Sequence, residues 1–301
     1  MKEILVLGGS YFAGRVFSML ASREKDVQLH VVNRGRYALN MEHVTEYRCD
    51  RHDTEKLSQL LPQRRFDALI DFCAYNAGEI RGMVDALGER IGHYVYISTA
   101  SVYQPGQGLL TEQAPLLKHT GSGQVEEYLG GKLALEEELR QVCAQIPWTI
   151  VRPAFIYGPF NYAPREAWYI RLLSLMQPVP VPTDASGRWS FVYVADVAKA
   201  LLALAGAEKA FGQAYNLAGP EVMDYPAFMK LLEYCWGKPI KTQEITCAQA
   251  DAEMVPLPFP FQGEECYSGE KLCRDFGFAY TPLEQGMEKT IAAFRPVFER
   301  G

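Results

Sequence analysis

The chain opens on an unbroken apolar run, Ile4-Leu5-Val6-Leu7, followed at once by Gly8-Gly9. Four apolar residues in a row are too few for a helix and suit a strand covered on both faces. Phe12 to Leu20 then reads as a helix. The alternation recurs: Val27–Val32 is a second strand, Val44–Asp50 a short third, and Asp53 an N-cap for a helix through Leu61. Phe66–Tyr75 is a fourth strand running into a turn, Ile80–Leu87 a helix with Val84 and Leu87 on one face, and His93–Ile97 a fifth strand. Strands alternating with helices predict an α/β protein, a doubly wound parallel sheet with helices on both faces. Ligands then bind beyond the carboxyl ends of the strands.

Gln104–Gly123 is a long segment rich in Gly, Pro and polar residues, and such a loop is usually functional or mobile. Val125–Leu139 is a clear helix. Ala214–Gly219 reads as a last short strand, and Tyr225–Trp236 and Thr281–Phe294 as helices. Val255–Phe261 is an apolar loop punctuated by proline; it lines a pocket or covers the core, and the prolines favour the cover.

Composition narrows the classes. The 301 residues are 48% hydrophobic and 22% charged, ordinary for a globular chain of one large or two modest domains. A net charge of -6 argues against a dedicated nucleic-acid binder. No apolar run approaches the roughly 18 residues of a membrane span, and no signal peptide precedes the first strand. Seven scattered cysteines without a C-x-x-C pair suggest reduced thiols in a cytoplasmic protein and no metal site.

Candidate chemistry gathers after the strands. Gly8, Gly9 and Gly14 lie between a strand and a helix, where free helix N–H groups meet a pyrophosphate. Tyr11 stands where a middle glycine is usual, and an ordinary glycine turn would carry the same residues. After the second strand, Asn33 replaces the acid that accepts from a ribose, and Arg34 and Arg36 follow. That favours NADP over NAD, although a basic surface turn would look alike. Asp50 is placed to accept from an adenine amino group. Tyr128 and Lys132 lie one helical turn apart, and an ammonium near a phenol lowers its pKa, which suits proton transfer beside a hydride transfer. Gly130-Gly131 between them is costly in a helix and implies something packed closely there.

Five segments in order resemble the short-chain dehydrogenase/reductase superfamily in its extended, epimerase/dehydratase-like branch. They are Gly8–Gly14, Ser98–Tyr103, Tyr128–Lys132, Val151–Pro159 and Phe191–Ala198, the last resembling a strand before a helix capped by Asp196. Tyr11, Arg165–Arg171 and Gln177–Pro182 are similar to an atypical subgroup that includes the chloroplast stem-loop-binding proteins. The resemblance implies a Rossmann-like domain of residues 1–160 plus about 189–220, and a smaller mixed substrate domain of about 161–188 plus 221–301. It implies that Thr99 orients the substrate oxygen, Tyr128 is the acid/base, and Lys132 lowers the phenol's pKa and binds the nicotinamide ribose. Gly8, Gly9, Ser10, Tyr11, Phe12, Gly14, Asn33, Arg34, Asp50, Ala74 and Pro153 would complete the cofactor site. The expected function is an NAD(P)-dependent oxidoreductase or epimerase/dehydratase on a hydroxyl-bearing, sugar-like or sugar-nucleotide substrate. The alternative is a non-catalytic dinucleotide-binding regulator or RNA-associated protein. Trp189 holds the place of the branch's diphosphate-binding Arg, with Arg188 offset by one, which counts against a nucleotide-sugar. Relatives often dimerise through helices matching Glu79–Leu87 and Val125–Val142, so a homodimer is expected.

Overall fold

A computed structural model describes residues 1–118 and 121–299. Its strands are β1 (Lys2–Leu7), β2 (Val27–Asn33), β3 (Val44–Arg48), β4 (Ala68–Asp71), β5 (Tyr94–Ile97), β6 (Trp148–Pro153) and β7 (Phe155–Tyr157). Then come β8 (Val179–Pro182), β9 (Arg188–Tyr193), β10 (Gln213–Leu217), β11 (Val222–Met223), β12 (Thr242–Ile245) and β13 (Glu264–Glu265). The helices begin with α1 (Phe12–Ala21), α2 (Thr54–Leu60), α3 (Glu79–Leu87), α4 (Gln124–Val142) and α5 (Glu166–Ser174). They continue with α6 (Val194–Leu204), α7 (Tyr225–Trp236), α8 (Cys247–Ala252), α9 (Glu270–Phe276) and α10 (Leu283–Phe298).

Seven strands form one sheet in the order β10-β6-β5-β4-β1-β2-β3, every pair parallel. The apolar run of β1 lies at its centre, with Ile4 to Leu7 fully buried. Its side chains alternate: Ile4 and Val6 join the layer of α1 and α6, Leu5 and Leu7 the layer of α2, α3 and α4. The sheet is the doubly wound α/β architecture expected. From β1 the chain winds outward to β3, then crosses to β4 on the other side. That reversal opens a crevice at the carboxyl ends of β1 and β4.

A second layer is built on β9, which pairs with β7 and β13 in parallel and with β11 antiparallel, while β8 and β12 form a separate parallel pair. Its core is aromatic. Trp189 is fully buried and stacks on Phe259 at 4.5 Å, and the Tyr225 hydroxyl donates to the Phe259 carbonyl at 2.9 Å. The proline-punctuated loop carrying Phe259 therefore covers the core, as its prolines suggest. The chain leaves the large sheet at Pro153, and α6 packs in that sheet's helical layer from Val194 onward.

Two expectations are corrected. The strand near Ala214 is the last of the large sheet, not of the chain, because β11, β12 and β13 follow as short edges. Asp196 does not cap α6: it lies inside the first turn, fully buried, and accepts from the Thr281 N–H at 2.6 Å and hydroxyl at 2.8 Å. It ties the start of α6 to the segment entering α10. No helix among the described residues is long and apolar enough to cross a membrane.

Candidate active site

Three glycines after β1 are required for three separate reasons. Gly8 has φ +85°, a left-handed value that favours glycine. A Cβ on Gly9 would meet Ser18, Val31 and Val6 at 2.9 Å, and one on Gly14 would overlap the Gly8 carbonyl oxygen. Tyr11, by contrast, is extended at φ -137°, ψ 141°, so its backbone does not demand glycine. Phe12 opens α1 at φ +38°, a strain of about 1–2 kcal/mol for a residue with a side chain. No side chain caps this helix, which leaves its first N–H groups free for an anion. A dinucleotide pyrophosphate fits that cradle.

The turn opens into a cleft of about 1370 Å³. A pocket for one small molecule holds about 300–1,000 Å³, so there is room for two ligands. Gly8, Ser10, Tyr11, Phe12, Gly14, Asn33, Arg34, Asp50, Thr99, Tyr128, Lys132 and Pro153 all line it. Gly9 and Ala74 do not: Gly9 packs inward beneath the turn, and Ala74 is fully buried with its carbonyl turned to Lys132.

At the far end, the Asn33 amide donates to Glu46 at 3.0 Å and its oxygen accepts from the Gly35 N–H at 2.6 Å. Its side chain shapes the loop and offers no carboxylate to a ribose. Arg34 and Arg36 are exposed along the cleft wall. Asp50 is exposed and accepts from the His52 N–H, which with the His52 ring holds its carboxyl below the usual range. Below it, buried Arg51 grips Asp71 at 2.8 and 3.0 Å, and the Tyr94 hydroxyl donates to Asp71 at 2.7 Å. This fixes the loop after β3 against the end of β4.

At the near end, α4 presents Tyr128 and Lys132 to Thr99, which follows β5. The Lys132 ammonium is buried and donates to the carbonyls of Ala74 at 2.9 Å and Ile97 at 2.8 Å. Burial lowers its pKa to about 8. It lies 5.8 Å from the centre of the Tyr128 ring. Burial raises the Tyr128 phenol, with Thr99 and then Arg165 pulling against it, so the resting phenol is protonated at neutral pH. A Cβ on Gly131 would overlap the Tyr75 carbonyl oxygen. The costly glycine admits the backbone that follows β4, and so brings Ala74 to Lys132.

Facing these residues from the second layer are groups for which the sequence carried no assigned role. The Glu265 carboxylate on β13 accepts from Ser101 at 3.0 Å and Tyr267 at 3.4 Å, and burial raises its pKa. Arg165 lies over the Phe155 ring at 4.7 Å and has no ion-pair partner among the described residues. Trp189 and Arg188 stay outside the cleft: the first is core, and the second pairs with Glu264 at 3.0 Å. Tyr103, Gln104, Pro105, Leu110 and Leu117 carry the long loop along the cleft wall, while His119 and Thr120 of that loop lie outside the described residues.

The sequence profile of the NAD dependent epimerase/dehydratase family matches residues 4–218. The chain belongs to this family. It is 27% identical over 252 residues to the chloroplast stem-loop binding protein of 41 kDa b from Arabidopsis thaliana, covering 79% of this chain and 64% of that one. It is 27% identical over 170 residues to an uncharacterised UDP-glucose epimerase of Bacillus subtilis, covering 56% and 52%. The chain thus spans less than two thirds of the length of either relative. Among solved structures, UDP-glucose-4-epimerase from Stenotrophomonas maltophila with bound NAD and formylated UDP-arabinopyranose matches at TM-score 0.82. The two are 14% identical over 100% of this chain and 99% of the other, which shows a shared fold.

Within the family's fold, a buried brace sets the two strand ends that carry Thr99 and Pro153. Glu136 of α4 accepts from Arg152 at 2.9 and 2.6 Å and from the Ser98 hydroxyl at 2.7 Å. Arg152 also donates to the Tyr103 hydroxyl at 2.7 Å.

Proposed function

We propose that the protein is an epimerase, dehydratase or reductase that transfers hydride between a nicotinamide and a hydroxyl-bearing carbon of a sugar or sugar nucleotide. The observation that carries this reading is the convergence of Thr99, Tyr128 and Lys132 in one cleft with the uncapped phosphate turn. Bound there, the dinucleotide supplies the hydride acceptor and donor. The remaining work falls to side chains. Tyr128 gives or takes the hydroxyl proton at its Oη, Thr99 orients that hydroxyl, and Lys132 faces the ribose with its ammonium. Arg165 provides the positive charge for an anionic part of the substrate, since position 189 offers none. Seven unpaired cysteines are consistent with a reducing cytoplasm.

The test is incubation with UDP-glucose or UDP-glucuronic acid and either dinucleotide, followed by NMR. An epimer, keto sugar or reduced product supports the reading. A protein that binds neither dinucleotide would falsify it. The RNA-associated alternative has the similarity to the stem-loop binding protein in its favour, and tight, salt-sensitive filter binding of structured RNA by this acidic chain would put it first.

Two further outcomes are expected. Arg34→Ala weakens NADPH binding about tenfold and leaves NADH nearly unchanged, because only a 2′-phosphate meets that guanidinium. Equal losses for both cofactors would remove Arg34 from that role. Dinucleotide affinity also falls as pH rises through about 8, where the free enzyme's Lys132 ammonium is lost. Fluorescence titration of NADH between about pH 6.5 and 9.5 checks it, with Lys132→Met expected to flatten the profile.

A further inference from the structure

Tyr11, Tyr37 and Tyr162 come from three separate parts of the chain: the phosphate turn, the loop after β2, and the loop between β7 and α5. They meet at the cleft. Tyr11 stacks on Tyr37 at 5.4 Å with the rings 5° apart, and on Tyr162 at 4.8 Å with the rings 21° apart. The same two segments are joined twice more. Phe12 meets Tyr162 edge-on at 5.8 Å, and the Arg15 guanidinium lies over Phe160 at 5.6 Å.

These rings are poorly buried, at 47% exposure for Tyr11, 40% for Tyr37 and 63% for Tyr162. The segment that carries Tyr162 is nonetheless fixed from beneath. Asn161, buried between Phe160 and Tyr162, donates to both oxygens of buried Glu166 at 3.0 Å and accepts from the Ala163 N–H at 3.0 Å. Glu166 also accepts from the Gly158 N–H at 3.0 Å. A loop pinned this firmly on its inner side, with its aromatic residues held outward over a groove, is built to cover something. Stacked rings contribute beyond their buried area, and flat faces match the planar parts of a dinucleotide.

We infer that Tyr11, Tyr37 and Tyr162 form a clasp across the dinucleotide groove, joining the cofactor side to the substrate side and retarding cofactor release. This rests on the proposed function and extends it to residues that the glycine turn does not include. Tyr11 is then not a tolerated substitute for glycine. Its ring is the central member of the clasp, and the extended backbone at that position is what lets it serve.

The experiment is stopped-flow displacement of NADH, and in parallel NADPH, from the full chain. Tyr162→Ala is expected to release the dinucleotide about tenfold faster, the scale of one or two lost ring contacts, with association little changed. Tyr11→Gly, which restores the usual turn residue, is expected to do the same, and Tyr162→Phe to release at the wild-type rate. The double variant Tyr11→Gly/Tyr162→Ala should be no faster than Tyr11→Gly alone, because Tyr11 is the ring on which Tyr162 stacks. Thermal melting checks that each variant is folded. Wild-type release rates in both single alanine and glycine variants would overturn the clasp while leaving the proposed function intact. Unchanged release together with weakened filter binding of structured RNA in Tyr162→Ala would also overturn it, assigning the rings to bases instead. Failure of the wild-type protein to bind either dinucleotide would remove clasp and function together.

Discussion

Tyr128→Phe is expected to lower turnover by about 10²–10⁴-fold, the range for loss of a positioned acid/base, while dinucleotide affinity stays nearly unchanged. The substitution keeps the ring, and with it the tilted contact to Tyr75 at 6.4 Å and the cation–π relation to Lys132. It removes only the hydroxyl that faces Thr99. A phenol is protonated at neutral pH and partial burial raises this one further, so the resting enzyme is poised to give a proton, and taking one requires positive charge brought near the oxygen. The loss should therefore fall on kcat and not on cofactor binding. Steady-state kinetics beside a fluorescence titration separate the two, and full activity in the variant would end the acid/base role.

The largest loss of stability is expected at a residue that touches no ligand. Glu136→Leu leaves the Arg152 guanidinium buried without its bidentate partner and strips the Ser98 hydroxyl of its acceptor. Both side chains are almost fully buried. Removing one partner of such a pair costs about 3–5 kcal/mol, because the surviving charge stays desolvated. For a chain of this size that corresponds to a fall of about 10 °C in melting temperature. Replacing Arg152 with Met in the same background should recover much of it, since an apolar pair of similar volume removes the orphaned charge. Thermal melts of the two single variants and the double one measure this directly. A Glu136→Leu protein as stable as wild type would mean that the brace contributes little.

The brace also explains part of the site's order. Ser98 and Arg152 each precede a cleft residue, Thr99 and Pro153, at the carboxyl ends of the neighbouring strands β5 and β6. Holding both to α4 fixes the distance between the strand ends and the helix that bears Tyr128 and Lys132. A local pattern of polar residues gives no warning of this. Glu136 reads as one more acid in an exposed charged helix until the fold buries it.

What the sequence determined by itself is the frame. Short apolar runs separated by helical periodicity can bury their residues in only one common way, and Ile4–Leu7 alternates between two helical layers as that arrangement requires. Gly8 and Gly14 carried equally local information, because one needs a left-handed φ and the other faces the Gly8 carbonyl oxygen within the same turn, whereas Gly131 is required by the distant Tyr75 carbonyl that only the fold brings to it. Tyr128 and Lys132 were legible because helix geometry alone puts them on one face. The tertiary structure decided the rest. Arg165 and Glu265 are a hundred residues apart, and only the pairing of β13 with β9 brings the second into the cleft. Asn33, expected beside the ribose, also bonds Glu46 across the strand pair, and Asp196, read as a cap, holds Thr281 from far along the chain. Tyr11 first counted as a missing glycine. It became a stacked ring only when two distant loops closed on it, for spacing along a chain fixes what neighbours on one element share, and not which side chains meet across the fold.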